Sequence, residues 1–346
     1  MGSLLTTPTA TTSAIPRDPA ALENLDRNLL HNRDPNGMVH VPVVTEKTRK
    51  ELNFPKVELH LHLDGSIRFS TLLELSLKHG TPLKGAKTVE ELKKVLITHE
   101  PANLSKVLEA FDLFLPVVRG DKDAIERIAY EMCEDQAANG VIYFEGRYSP
   151  NLLCLPGGEV IDNFPLTPAG VVEAVKRGFD RGEAKFGVKA RSIVCCIRGL
   201  DQYADDVLQL ATDYRHLGVV AIDVAGSAHG ADEQYEPKIV HIFKEAYKRG
   251  IHRTVHSGES GGAKEVHKAI NEMHAERVGH GYRVMTDPAM YKRYFIDDHK
   301  IHLEACPYSS IMTGAVPLDW KNHPVATWVF LHLRLPGFTL IGAWGR

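Results

Sequence analysis

Short runs of apolar and β-branched residues alternate with longer stretches of helical spacing along most of the chain. Seven short runs stand out, at residues 57–61, 141–145, 190–197, 219–224, 253–256, 277–279 and 301–305. Runs of this length and composition are typical of buried β-strands. The pattern therefore predicts seven strands separated by other elements.

The longer stretches between these runs have the spacing of amphipathic helices. In the segment 263–273, Val266, Ala269, Ile270 and Met273 recur at three- and four-residue intervals, which places them on one helix face. Helices are predicted in the same way for residues 70–79, 123–139 and 168–186.

Strands that alternate with helices favour parallel pairing through helical crossovers, which defines an α/β fold. The chain after about residue 54 is long enough for one TIM-type (β/α)₈ barrel, which typically needs ~250 residues. A doubly wound open sheet is the alternative. No GxGxxG follows the first strand and no GxxxxGK[ST] occurs, so the nucleotide-binding forms of that alternative are disfavoured.

The composition narrows the function only slightly. Of the 346 residues, 43% are hydrophobic and 25% are charged, and the net charge is −3. This charge gives no general attraction to nucleic acid or to an anionic membrane. No apolar run is long enough to predict a membrane span. The five cysteines form no CxxC pair, so a reducing, cytoplasmic location is expected rather than a disulfide framework.

Three regions are predicted along the chain. Residues 1–50 are rich in Thr and Asn and have little apolar periodicity, so a flexible N-terminal extension is expected. Residues 51–325 contain all the predicted strands and form the barrel domain. Residues 326–346 are rich in Trp, Leu and Gly and form an atypical C-terminal tail.

Several predicted strands end in residues that bind metals or transfer protons. His60 and His62 alternate on the first strand, so both imidazoles lie on one face of it and can reach one ion. His256 ends the fifth strand, with Glu259 three residues later, and His280 lies between two glycines after the sixth. Each signal alone is weak, because core or loop histidines and a helix-capping Glu explain it as well. In a barrel all these strand ends meet at one face, so together they predict a zinc site.

Three neutral imidazoles with one open position suit a single Zn²⁺ ion, which activates water near neutral pH. The chain has no HExxH motif and no HxE…PCxxC pattern, so the corresponding protease and cytidine-type deaminase sites are disfavoured.

The segment 56–66, Lys-Val-Glu-Leu-His-Leu-His-Leu-Asp-Gly-Ser, resembles the opening signature of the adenosine deaminases within the amidohydrolase barrels. Similar segments follow in the family's order, namely 146–150, 222–226, 256–259, 276–281 and 304–310. The resemblance covers roughly residues 54–325. It implies zinc-dependent, hydrolytic deamination of adenosine and 2′-deoxyadenosine to inosine and ammonia.

The resemblance also implies a role for each matching residue at the metal. His60, His62 and His256 would be the zinc ligands. Glu259 would protonate the purine ring at N1, so that C6 becomes electrophilic. His280 would orient the attacking water and help to deprotonate it.

Further residues would bind the substrate by the same resemblance. His62 would contact it, Asp64 would bind the ribose 5′-hydroxyl, and Gly226 would offer its backbone to the purine N3. Asp at position 64 favours adenosine, because the adenine-specific branch tends to carry Glu there. The helix that covers the pocket would contribute Leu104, Val107, Leu108 and Phe111.

The C-terminal region departs from this resemblance. The family's site includes an Asp pair at the end of the eighth strand, whereas no Asp or Glu occurs from Trp320 to Arg346. A barrel that is incomplete at its eighth strand is therefore expected, in a truncated or alternatively terminated form. Two alternatives to adenosine deamination stay open: an inactive purine-binding isoform, and an amidohydrolase that acts on another aminopurine.

Overall fold

A computed structural model describes residues 45–51, 53–154, 166–227, 234–297, 301–320, 322–326, 328 and 341–342. The contacts of the described residues from Glu46 onwards group them into one compact unit. The predicted extension, residues 1–50, lies almost wholly outside the described residues, as does most of the predicted tail, residues 326–346. Both stay predictions.

Within the described residues, eight parallel strands form one sheet, in which each strand pairs with its neighbours in chain order. The strands are β1 (Lys56–His62), β2 (Val141–Tyr148), β3 (Lys189–Ile197), β4 (Val219–Ala225), β5 (His252–Ser257), β6 (Arg277–His280), β7 (His302–Ala305) and β8 (Ile341–Gly342). The first seven coincide with the seven predicted strands, so the predicted α/β barrel is confirmed.

Helices occupy the connections between the strands, as parallel pairing requires. The described α-helices are α1 (Glu46–Glu51), α2 (Phe69–His79), α3 (Val89–Leu96), α4 (Leu104–Val118), α5 (Lys122–Ala138), α6 (Pro150–Leu153), α7 (Pro168–Phe186), α8 (Ala204–Asp213), α9 (Pro237–Lys248), α10 (Ala263–Asn271), α11 (Pro288–Tyr291) and α12 (Pro307–Met312). The four helices predicted from hydrophobic spacing are α2, α5, α7 and α10.

The sequence around α7 shows how these helices begin and end. The side chain of Thr167 accepts the N–H of Gly170, and Pro168 occupies the first turn, where its missing N–H costs nothing. Gly187 ends the helix with φ of 75°, a left-handed conformation that glycine adopts without strain. Buried residues such as Val171 and Phe179 face the barrel side of the helix.

The eighth strand is short in the part of the chain that the structure describes. It contains two described residues, which pair with Glu304 and Ala305 of β7, whereas β3 contains nine residues. The expected incompleteness at the eighth strand is therefore confirmed, and the barrel is nearly closed. Among the described helices, none combines the length and the hydrophobicity needed to cross a bilayer.

Candidate active site

Four histidines converge at the carboxyl ends of three strands. His60 and His62 come from β1, His256 comes from β5, and His280 is the last residue of β6. The ring centroid of His60 lies 4.6 Å from that of His256 and 4.7 Å from that of His280. The structure thus brings together all four histidines singled out in the sequence, although up to 220 residues separate them along the chain.

Three of these histidines have the spacing of a metal site. His60, His62 and His256 each offer a ring nitrogen within 4.8 Å of the others, and the Nε2 atoms of His62 and His256 are 3.1 Å apart. Burial, reinforced by nearby positive charge, lowers the pKa of His60 and of His62 well below the ordinary value of 6.5. Both rings are therefore neutral near pH 7, and each keeps a lone pair for a transition metal.

A second group of donors lies around the same ring of His60. His60, His280 and Cys306 each offer one ligand atom, and these three atoms also lie within 4.8 Å of one another. Burial raises the pKa of the Cys306 thiol far above its ordinary value, and the neighbouring Glu304 acts in the same direction. Because a thiol binds metals as the thiolate, Cys306 is a poorer ligand here than the third histidine of the first group.

Two of the histidine rings each have a buried carboxylate beside Nδ1. Nδ1 of His60 lies 2.8 Å from Oε2 of Glu304, and Nδ1 of His256 lies 2.9 Å from Oδ2 of Asp223. A carboxylate that accepts the Nδ1 proton fixes the ring and leaves Nε2 free for a metal. The donor set and the way it is held therefore fit a bound transition-metal ion.

Arg147 donates hydrogen bonds to both of these carboxylates. Its Nη1 donates to Asp223 at 2.8 Å and its Nη2 donates to Glu304 at 2.7 Å, with all three side chains fully buried. Burial alone would raise the pKa of Glu304, but Arg147 and Arg277 outweigh it and hold the pKa at about 2. They keep Glu304 charged, as an acceptor for His60.

No role was predicted from sequence for Asp223 or Glu304, although both lie in segments that carry the family resemblance, 222–226 and 304–310. The signal that could have found them is an acid inside an apolar strand, as in Ile222-Asp223-Val224. An acidic residue at a fully buried position needs a partner, and at the strand ends of a barrel that partner is often part of the site.

Glu259 lies beside His280, with its Oε2 3.4 Å from Nε2 of the imidazole. The chain reaches Glu259 through Gly258, whose φ is 69° and where a Cβ would lie 2.8 Å from the Val266 side chain. Only glycine fits this turn without a shift of its neighbours. The tight turn carries Glu259 back towards the histidines.

The backbone of His280 adopts an unusual conformation. Its φ of 65° lies in the left-handed region, which residues other than glycine seldom adopt. Gly279 gives the rings room, because a Cβ there would lie 2.8 Å from Cε1 of His60. Burial lowers the pKa of His280 to about 4, against the opposing effect of Glu259. The imidazole is therefore neutral at pH 7.

Asp64 is a buried carboxylate at the edge of the histidine cluster. Its Oδ2 accepts the N–H of Ser149 at 3.2 Å, while Oδ1 has no hydrogen-bond partner among the residues that the structure describes. Burial raises its pKa to about 6. A buried oxygen without a partner is a suitable acceptor for a ligand hydroxyl.

A small pocket lies between β4, β5 and the N-terminal end of α4. Leu104, Gly226, His256 and Glu259 all line it. Gly226 follows β4 with φ of 95°, and a Cβ there would come 3.2 Å from Ile197. The backbone of Gly226 is therefore accessible from the same pocket that Glu259 faces.

Helix α4 extends from this pocket along the site. The hydroxyl of Ser105, in its first turn, lies 2.9 Å from that of Ser227, which follows Gly226. Further along, the ring of Phe111 lies 3.2 Å from the place a Cβ of Gly65 would take. The four predicted pocket-covering residues of α4 are all half-buried: Leu104, Val107, Leu108 and Phe111.

A parallel barrel with a metal-competent histidine cluster at the carboxyl ends of its strands is the arrangement of the amidohydrolase class. Comparisons with known proteins give the family. The family model described as Adenosine deaminase matches residues 55–335. The adenosine deaminase of Danio rerio is 44% identical over 277 residues, 79% of this chain and 76% of that protein. The adenosine deaminase of Gallus gallus is 43% identical over 279 residues, 78% and 75% of the two chains.

Among solved structures, the chain is similar to the Arabidopsis N6-mAMP deaminase, with a TM-score of 0.67 and 26% identity over 84% of this chain and 82% of that one. The chain belongs to the adenosine deaminase family, and it is accordingly a hydrolase.

Proposed function

We propose that the chain holds one Zn²⁺ ion on His60, His62 and His256 and deaminates adenosine and 2′-deoxyadenosine to inosine and ammonia. The observation that carries this proposal is the convergence of three metal-competent ring nitrogens, within 4.8 Å of one another, beside the pair Glu259 and His280. A bound Zn²⁺ would make water nucleophilic near neutral pH.

Two side chains of this site would move the protons. Glu259 would donate a proton to N1 of the purine, which makes C6 electrophilic. His280, whose pKa of about 4 leaves it neutral, would accept the proton of the water that attacks C6. His280 would then pass that proton to the amino group, the C6–N bond would break and ammonia would leave. The C6 hydroxyl would become the carbonyl of inosine as its proton returns to Glu259.

The choice of substrate rests on Asp64 and Gly226. The unpartnered Oδ1 of Asp64 would accept the ribose 5′-hydroxyl, and the backbone of Gly226 would contact the purine N3. Curated relatives at 42–44% identity are named adenosine deaminases, whereas the similar Arabidopsis structure is an N6-mAMP deaminase. We further propose that the chain acts in purine metabolism in the cytoplasm.

A substrate panel tests this choice. Zinc-loaded protein should convert adenosine and 2′-deoxyadenosine with a kcat/KM at least ~100-fold above those for adenine, AMP and N6-methyl-AMP, because a buried acceptor left unpaired discriminates strongly. Asp64→Asn should lower kcat/KM for adenosine but not for adenine. Preference for a nucleotide or for free adenine would assign the chain to another aminopurine.

The eighth strand supports a second candidate, a purine-binding protein with impaired turnover. The resemblance implies an Asp pair at the end of the eighth strand, whereas Trp320–Arg346 contains no acid. Such a chain would lack a metal ligand and a purine contact. Adenosine conversion, compared at equal zinc loading with a chimaera that carries a family-like C-terminal segment, tests this. Equal rates would exclude the second candidate.

A further inference from the structure

The loop that carries Glu259 follows β5, whose carboxyl-terminal half is paired in the sheet on one side only. Pairing of β5 with β4 ends at Ile222 and Arg253, three residues before His256. On the other side the backbone is bonded further, since Gly281 N–H donates to Ser257 O at 2.8 Å and Arg283 N–H donates to Gly258 O at 3.0 Å. The β4-facing side of residues 256–258 therefore needs partners from elsewhere.

Three buried side chains supply these partners. The carbonyl oxygen of His256 accepts from Nη2 of Arg198 at 2.8 Å and from the hydroxyl of Tyr235 at 3.1 Å. The N–H of Gly258 donates to Oε2 of Glu265 at 2.7 Å. Side chains from three separate segments thus replace the missing β-ladder.

The three side chains also fix one another. Nη1 of Arg198 lies 2.6 Å from Oε1 of Glu265, and its guanidinium lies 4.5 Å above the ring of Tyr235. Arg198 and Glu265 are 5% and 1% exposed, so solvent screens this ion pair little. A planar guanidinium can bond a carbonyl and a carboxylate at once, which a lysine ammonium does less rigidly.

We propose that Arg198, with Glu265 and Tyr235, is a positioning residue that holds the loop 256–259 and thereby sets where the Glu259 carboxyl meets the substrate. The inference rests on the proposed function for the role of Glu259. Arg198 hydrogen-bonds the carbonyl of His256 and forms an ion pair with Glu265, which in turn accepts the N–H of Gly258. Both side chains thus act on the backbone that carries Glu259. A displacement of about 1 Å at a catalytic group costs roughly 100-fold in rate.

The chain offers a matched control in Arg253, at the opposite end of β5. Arg253 is also 5% exposed, and it also bonds backbone carbonyls and a carboxylate, those of His274 at 2.7 Å and Glu276 at 2.8 Å. Arg253→Gln therefore removes a comparable buried network without touching the loop 256–259.

The test combines hydrogen exchange by mass spectrometry with kinetics on the zinc-loaded full chain. Arg198→Gln should speed amide exchange in the peptide 256–262 by about tenfold or more, and lower kcat by roughly 10–100-fold with a smaller change in KM. Tyr235→Phe, which removes a single hydroxyl, should act in the same direction more weakly if Arg198→Gln folds poorly. Arg253→Gln should lower the unfolding midpoint but leave exchange in this peptide unchanged.

Coupling to Glu259 separates positioning from general damage. In a Glu259→Gln background, Arg198→Gln should lower the residual rate by less than about threefold, because the group it positions is already gone. The proposal would be overturned if Arg198→Gln lowered the rate equally in wild type and in Glu259→Gln. It would also be overturned if amide exchange in the loop were no faster in Arg198→Gln than in Arg253→Gln. If wild type converts no adenosine while loop exchange responds as expected, the proposed function fails and the positioning of the loop stands.

Discussion

The indole of Trp328 lies face to face with the ring of Tyr282, with centroids 4.8 Å apart and planes 5° from parallel. Trp328 is fully buried, and its Nε1 donates to Sδ of Met285 at 3.3 Å. Tyr282 follows His280 by two residues, and its hydroxyl accepts the N–H of Cys306 at 2.6 Å. A residue from the predicted atypical tail is therefore packed against the segment that carries His280.

We expect Trp328→Ala to lower the free energy of unfolding by about 3–5 kcal/mol, since it removes a large buried ring and leaves a cavity against Tyr282. Urea unfolding followed by circular dichroism measures the loss. Trp320→Ala is the control, because that ring is only half-buried and stacks on His323. Equal losses for the two variants would contradict the structural role of Trp328.

The metal site makes a second prediction. His256→Ala should lose most of the bound zinc in elemental analysis. The ring nitrogens of His60, His62 and His256 lie within 4.8 Å of one another, and Asp223 holds the His256 ring in this position. The exposed His216 provides the control, and His216→Ala should keep the wild-type metal content. Unchanged stoichiometric zinc in His256→Ala would remove this histidine from the ligand set.

Glu259→Gln should separate binding from chemistry. The amide keeps the shape of the side chain but cannot donate the proton to N1, so turnover should fall by ~10²-fold or more. Binding of a purine nucleoside, measured by calorimetry on the same preparation, should change little. The same substitution in a chimaera with a family-like C-terminal segment gives the larger starting rate for this comparison. Near-normal turnover would assign Glu259 a structural role.

Asp121 gives a pH-dependent contribution to stability away from the site. It caps α5, accepting the N–H of Ala124 at 2.9 Å, and its other oxygen lies 2.7 Å from Nζ of Lys78 and 2.9 Å from Nε2 of His79. Burial alone would raise its pKa, but the bonds from Lys78 and Ala124 outweigh it and hold the pKa below 3.8. A folded-state pKa below the unfolded value stabilises the fold above the unfolded pKa and loses this effect as pH falls.

Asp121→Asn keeps a good N-cap side chain and removes the charge. We expect it to cost about 1 kcal/mol of unfolding free energy at pH 7, and progressively less as the pH falls below about 4. Urea unfolding of both proteins at pH 7 and pH 3 measures the difference. A cost that stays constant between these pH values would show that the charge of Asp121 contributes nothing.

Most of the barrel could be predicted from local sequence. Strands buried on both faces are continuous apolar runs, and the seven predicted runs correspond to β1 to β7 because short runs rich in β-branched residues pack well in a parallel sheet. The eighth strand is not among the predicted runs. Its described residues, 341–342, pair with Glu304 and Ala305 of β7, and two residues are too few to be assigned from hydrophobic pattern alone.

The histidines could be found from sequence because each lies near the carboxyl end of a strand, and strand ends meet at one face of a barrel. Their supports could not. Arg147 meets Asp223 and Glu304 at distances of 76 and 157 residues along the chain, and Arg198 reaches His256 across 58. Which buried charges pair depends on the direction of each side chain in the closed barrel.

The sequence by itself thus determined the α/β architecture, the seven main strands and the candidate residues for metal binding and acid–base chemistry, because these follow from hydrophobic periodicity and residue type. Only the tertiary structure decided how those residues are held. The left-handed backbone of His280, the carboxylates behind His60 and His256, and the stacking of Trp328 on Tyr282 all arise from packing between segments distant in sequence. Such contacts form only when burial forces polar groups and rings to find partners.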